Sequence, residues 1–122
     1  MVTRQDQQKI FYKNGDCYEG FVKSGIRSGF GELYDQSFQR FFKGNWENGA
    51  LIGDVEITSN GWRFIGTIEN KKERSKGKLT YGDGSIYIGE LLNFTRHGIG
   101  KFTNKSGNKI SGFWVDDTNV NF

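Results

Sequence analysis

The sequence predicts an all-β protein: an elongated, single-layer antiparallel meander of tandem β-hairpins with about eleven short strands. Three observations predict it. The composition combines 18 glycines and no proline with 16% aromatic residues, too aromatic for a linker and too glycine-rich for a helical core. An aromatic-x-Gly unit returns at near-constant spacing, and glycine-bearing turn dipeptides recur in phase with it. No segment keeps a 3.6-residue apolar period over the length of a helix.

The elements follow in chain order. The opening KIFYKNGDCYEG overlays KLTYGDGSIYIG of residues 78–89, so the chain enters on a half repeat. The unit then appears as Tyr18-Glu19-Gly20, Phe42-Lys43-Gly44, Phe64-Ile65-Gly66, Tyr87-Ile88-Gly89 and, with isoleucine for the aromatic, Ile110-Ser111-Gly112. Two positions beyond each glycine stands Val22, Trp46, Ile68, Leu91 or Trp114, which puts the three marked positions on one face of a strand. A second small-residue pair follows seven residues later: Gly29-x-Gly31, Gly53-x-Val55, Ser75-x-Gly77 and Gly98-x-Gly100. Leu33, Ile57, Leu79 and Phe102 continue those return strands. Asn14-Gly15, Asn60-Gly61, Asp83-Gly84 and Ser106-Gly107 each precede the aromatic position by three residues and predict two-residue hairpin turns, because glycine accepts positive φ. In repeat one, Ser37-Phe38-Gln39 replaces the turn dipeptide, and repeat three has a polar turn over residues 70–74. Glycine inside a strand loses backbone entropy, so Gly20, Gly44, Gly66, Gly89 and Gly112 need another reason. Room for an aromatic ring to lie flat across the neighbouring strand supplies it.

This pattern resembles the MORN (membrane occupation and recognition nexus) repeat, whose motif runs approximately Y-x-G-x-W, a turn, G-x-G-x-[apolar], then D-G-x-x-Y. The resemblance covers Lys9 to Trp114 and returns four times. It divides the chain into an N-terminal extension 1–8, an array 9–115 and a tail 116–122. The array comprises a half repeat 9–17, repeats starting near 18, 42, 64 and 87, and a final strand 109–115.

A single-layer sheet leaves a face and two edges uncovered, which favours association. The expected function is therefore a non-catalytic protein-binding scaffold, a small subunit of a larger assembly. Tyr18, Phe42, Trp46, Phe64, Tyr87 and Trp114 are the expected partner contacts on an aromatic face, with internal ring packing as the alternative role. The MORN resemblance implies the same, since that family scaffolds cytoskeletal, ciliary and membrane-associated complexes. It also implies a rival, recognition of acidic phosphoinositides, for which the basic run Lys71, Lys72 and Arg74 is the candidate. A net charge of +3 gives only mild attraction to acidic surfaces.

Other classes find little support. Seventeen basic residues are interspersed with 14 acidic ones and no recognition helix is visible, against nucleic-acid binding. The lone histidine, His97, sits at an expected turn, and the lone cysteine, Cys17, points away from the Tyr18 ring. They belong to different repeats and offer neither a catalytic pair nor a metal site. Glu19, Glu32, Glu47 and Glu90 read as solvent-facing alternates. The G-x-G pairs lack the helix start of a phosphate loop. Neither an enzyme nor a cofactor or small-molecule substrate is expected. The opening residues lack the apolar core of a secretory signal, and no run reaches the roughly 18 apolar residues of a membrane span. With one cysteine and no internal disulfide, the expected location is intracellular and cytoplasmic; the MORN resemblance implies a cytoskeletal or ciliary setting. Met1 and the short tail favour a dedicated small subunit over a fragment.

Overall fold

The computed structural model describes residues 6–69 and 73–120. All regular structure among them is strand: β1 Asp6–Phe11, β2 Cys17–Lys23, β3 Ile26–Asp35, β4 Arg40–Glu47, β5 Ala50–Ser59, β6 Trp62–Glu69, β7 Arg74–Tyr81, β8 Ile86–Leu92, β9 Thr95–Thr103, β10 Lys109–Val115 and β11 Thr118–Val120. They form an open antiparallel meander whose spatial order is the chain order. The expected all-β antiparallel meander of about eleven strands is therefore observed. Strand β1 begins inside the segment read as an extension, and β11 lies inside the segment read as a tail.

The chain divides into two compact units, Met1–Asn60 and Gly61–Phe122. In the first, Ile10, Tyr18, Leu33, Phe42 and Ile57 fall opposite one another across β1–β5. The next inward row is Gly20, Gly31, Gly44 and Val55. The second unit repeats this with Phe64, Leu79, Tyr87, Phe102 and Ile110, beside an unbroken row of Gly66, Gly77, Gly89, Gly100 and Gly112. A row of large side chains thus runs beside a row of none.

The two glycines of each G-x-G serve different ends. Gly29, Gly53 and Gly98 have φ of 96°, 65° and 98° and lie where the ladders shift register, between Gly20 and Val22, Gly44 and Asn45, and Gly89 and Leu91. They make a bulge that a side-chain-bearing residue resists. In repeat three the corresponding residue is Ser75, and β6 pairs with β7 without a shift from Trp62 to Glu69. The second glycine is a seat: a Cβ at Gly31 would collide with the Tyr18 phenol, and one at Gly100 with that of Tyr87. The ring-room reason expected for Gly20, Gly44, Gly66, Gly89 and Gly112 is only part of the cause: a Cβ at Gly66 would meet the Lys76 carbonyl before Phe64 Cζ, one at Gly20 or Gly89 would first meet the facing glycine's Cα, and Gly44 and Gly112 have no ring against them.

The turns differ from expectation in length. Gly15, Gly84 and Gly107 have φ near 90°, but their amides donate to Tyr12, Tyr81 and Asn104 three residues back, and a second bond closes each loop one residue further on. Asn60-Gly61 alone of the four joins its strands as a two-residue turn. At the other ends of the strands, Ser24-Gly25, Asn48-Gly49, Asn93-Phe94 and Asp116-Asp117 have both residues at positive φ, the I′ geometry that suits strand twist. His97 lies within β9 rather than in a turn, because the turn occurs earlier, at Asn93-Phe94.

Candidate functional site

The six expected contact residues lie on the inner face of their own unit, and five are sealed there. Tyr18, Phe64 and Tyr87 are 0% exposed, Trp114 3% and Trp46 6%, while Phe42 is half-buried against the first unit's core. Tyr18, Trp46 and Phe42 pack together in the first unit, and in the second Tyr87 meets Trp114 and Phe64 meets Phe94.

Two boxes of the same construction account for most of that burial. In the first unit the Tyr18 ring meets Trp46 edge-on at 5.8 Å and 88°. The Tyr18 hydroxyl donates to the Phe21 carbonyl at 2.7 Å, and Trp46 Nε1 donates to the Gly31 carbonyl at 3.0 Å. In the second, Tyr87 and Trp114 stand at 5.8 Å and 85°, with bonds of 2.7 Å to the Glu90 carbonyl and 3.0 Å to that of Gly100. Phe21 and Glu90 are the residues at the register shift, so each tyrosine satisfies a carbonyl at the bulge. Phe64 has no hydroxyl, and its strand pair has no bulge.

An arginine closes each box. The Arg27 guanidinium lies 4.8 Å from the Trp46 ring, 5.7 Å from Tyr12 and 6.0 Å from Tyr18, and donates to the Gly49 carbonyl at 2.9 Å. Arg96 lies 4.5 Å from Phe102, 5.0 Å from Trp114 and 5.7 Å from Tyr81, and binds the carboxylate and carbonyl of Asp117. Residue-type reasoning missed both, although each stands seven positions after its aromatic-x-Gly glycine. That shared column was the available signal.

Burial sets the chemistry of these phenols. Desolvation, then the nearby Glu90 carboxylate and Tyr81, push the Tyr87 phenol from 10.0 up to about 12. Desolvation also raises Tyr18 and Tyr81, against opposing arginines. An unfolded Tyr87 loses its proton near 10 and a folded one near 12, so the unfolded state is favoured as pH climbs through that window. Thermal stability is expected to fall between pH 10 and 12, and Tyr87→Phe to lessen the fall without abolishing it. An equal slope in the variant would contradict the assignment.

The opposite, outer face holds what remains accessible. In the first unit a row runs Phe11, Cys17, Tyr34, Phe41 and Thr58, with Tyr34 and Phe41 rings 4.8 Å apart. Phe11 is 74% exposed and Phe30 51%. In the second unit Ile65, Ile88 and Ile99 are 51%, 56% and 61% exposed. A depression of about 200 Å³ there is lined by Arg63, Ile65, Lys78 and Thr80.

Of the alternative lipid site, Arg74 is exposed at the start of β7, while Lys71 and Lys72 lie outside the described residues. His97 Nδ1 stands 3.9 Å from Asp116 Oδ1. Among the described residues, no group of three or more His, Cys, Asp or Glu side chains is placed to hold a metal, and no helix is long and apolar enough to cross a membrane. Glu90 is exposed as expected, yet its Oε1 accepts the Ile99 amide at 2.6 Å.

No protein-family model matches the sequence. The chain is similar to a segment of Alsin from Mus musculus, Pan troglodytes and Homo sapiens, 26% identical over 117 residues in each. The match covers 87% of this chain and only 7% of the length of Alsin. The chain is thus a repeat-like β-meander distantly similar to one region of a much longer protein.

Proposed function

We propose that this chain is a MORN-type protein-binding module, non-catalytic in itself, that works within a larger cytoplasmic assembly of cytoskeletal, ciliary or membrane-associated kind. The four-fold motif and the similarity to a region of Alsin support the module type. One observation carries the binding role: the inner rings are used up in internal packing, while the outer face keeps large apolar side chains in solvent at Phe30, Ile65, Ile88 and Ile99. The partner surface is therefore the outer face, not the aromatic one. An acidic phospholipid surface is the second reading, supported by the excess of base in residues 61–122, where ten Lys and Arg stand against six Asp and Glu.

Cross-linked capture from native cells tests the proposal with two outer-face variants, Phe30→Ser/Ile52→Ser and Ile88→Ser/Ile99→Ser. Wild type is expected to recover a defined protein complex that at least one variant loses while keeping the wild-type melting temperature. Recovery of the chain alone as a monomer, or full retention of the complex by both variants, would sink the proposal.

A further inference from the structure

The outer faces of the two units carry different chemistry in equivalent rows. Across β1–β5 the row is Lys9, Glu19, Glu32, Lys43 and Glu56, in which carboxylates oppose or neighbour the amines. Across β6–β10 it is Ile65, Lys78, Ile88, Lys101 and Ser111, with no carboxylate. Whole-unit charge follows: seven basic against eight acidic residues in 1–60, ten against six in 61–122. On the second face, Lys76 pairs with Glu69 at 3.4 Å and Glu90 is bound to the Ile99 amide. Among the described residues no carboxylate forms an ion pair with Lys78 or Lys101.

We propose that the row Ile65, Lys78, Ile88 and Lys101 docks an acidic amphipathic helix of a partner protein, laid across the strands, its apolar residues on the isoleucines and its carboxylates on the lysines. This rests on the binding-module reading above and specifies its partner. The spacing favours a helix. Neighbouring strands lie about 4.8 Å apart, and a helix brings a residue back to the same stripe every three to four positions, a rise of about 5 Å. A stripe alternating apolar and acidic side chains therefore meets this row residue for residue over about three turns, before sheet twist of roughly 20° per strand spoils the match. An extended strand repeats its face every ~7 Å and would not. The depression beside Ile65 and Lys78 seats a discrete side chain, which a bilayer surface does not require. Complementary charge steers the approach, and burial of the isoleucines retains the helix.

The test uses the full chain and a fluorescent helical peptide of about four turns with Leu and Glu alternating along one stripe. A scrambled peptide, a Leu/Lys version and vesicles rich in phosphatidylserine are the comparators. Saturable binding of the Leu/Glu peptide is expected, weakened at least about tenfold by Lys78→Glu/Lys101→Glu and by raised salt. The charge-reversed variant should bind the Leu/Lys peptide instead. Lys78→Gln/Lys101→Gln, which adds no like charge to the row, guards against a folding effect and is expected to weaken binding as well. Equal binding of the scrambled peptide, no effect of either double variant, or binding of vesicles alone would overturn the inference. If the peptide fails while Phe30→Ser/Ile52→Ser still abolishes capture of the native complex, the module reading stands and only this inference falls.

Discussion

Replacing Gly100 with alanine is expected to cost about 3 kcal/mol of stability, the upper part of the range for overpacking a filled site. The added methyl would occupy space already taken by the Tyr87 phenol, whose ring lies on Gly100 and whose hydroxyl is tied to the Glu90 carbonyl. Movement of the ring is restrained by its edge contact with Trp114 and by the hydrogen bond of its hydroxyl. Backbone conformation is not the cause, since Gly100 is not among the residues with positive φ. Chemical denaturation of Gly100→Ala, Tyr87→Ala and the double variant measures the coupling directly. Each single change is severe, the second by leaving a cavity. Together they should cost at least about 1.5 kcal/mol less than their sum, because the methyl then enters space the ring has left. Gly82→Ala is the control: its Cβ would meet nothing closer than the Gly61 carbonyl at 3.5 Å, and a change within about 0.5 kcal/mol is expected. Additive costs in the cycle would show that the glycine row is not a seat for rings.

Loss of Arg96 is expected to destabilise by about 2 to 4 kcal/mol in Arg96→Ala, from ring contacts and charge-assisted hydrogen bonds together. The guanidinium is in contact range of three rings and reaches the Asp117 carboxylate at 3.3 Å and carbonyl at 3.0 Å. The Asp117 amide donates to the Arg96 carbonyl and the Arg96 amide to the Asp117 carboxylate, main-chain bonds that remain in Arg96→Ala, while the side chain adds its own bonds to the turn between β10 and β11 at the Asp117 carboxylate and carbonyl. Arg96→Lys should restore less than half of the loss, since a lysine ammonium cannot stack and fork at once. Arg27→Ala should cost less than Arg96→Ala. Its Nε is buried without a hydrogen-bond partner, whereas the Nε of Arg96 has Asp117. Equal costs at the two sites would mean that ring contact alone matters.

Much of the architecture was legible because the period and the strand alternation are both carried by residue type. An aromatic, a glycine and a large apolar residue two apart fix the face, and the return of the triplet fixes the order of hairpins. What sequence reading reversed was availability. It placed Tyr18 and Trp46 on one strand face within the first unit, and Tyr87 and Trp114 on one within the second, but inferred that a face without a second layer stays open. Rings laid on glycines leave little surface, and Arg27 and Arg96 cover more, so one sheet seals its own rings. Arginine is ordinarily read as solvent-facing, which is why its role as a lid shows only when the repeats are aligned by column. Two of the departures from the motif, Val55 and Ser75, also have reasons visible only in register. Val55 fits because it stands opposite Gly44, which has no side chain: a Cβ there would lie only 3.3 Å from Val55 Cγ1. Ser75 fits because β7 has no bulge to turn.

Phe94 illustrates the limit of dipeptide rules. Its φ of 61° is costly for an aromatic residue, yet its ring stacks on Trp62 at 5.3 Å and meets Phe64 at 5.5 Å. Packing with β6 outweighs a turn preference that would have selected glycine, as found at Gly25 and Gly49.

Hydroxyl-radical footprinting of the free chain, read residue by residue, tests the division into a sealed inner face and an open outer one. Tyr18, Phe64, Tyr87 and Trp114 are expected to resist labelling while Phe11, Phe30 and Phe113 are modified readily. Ready labelling of Tyr18 and Tyr87 in the free protein, followed by their protection when a partner binds, would contradict it and return the binding surface to the rings.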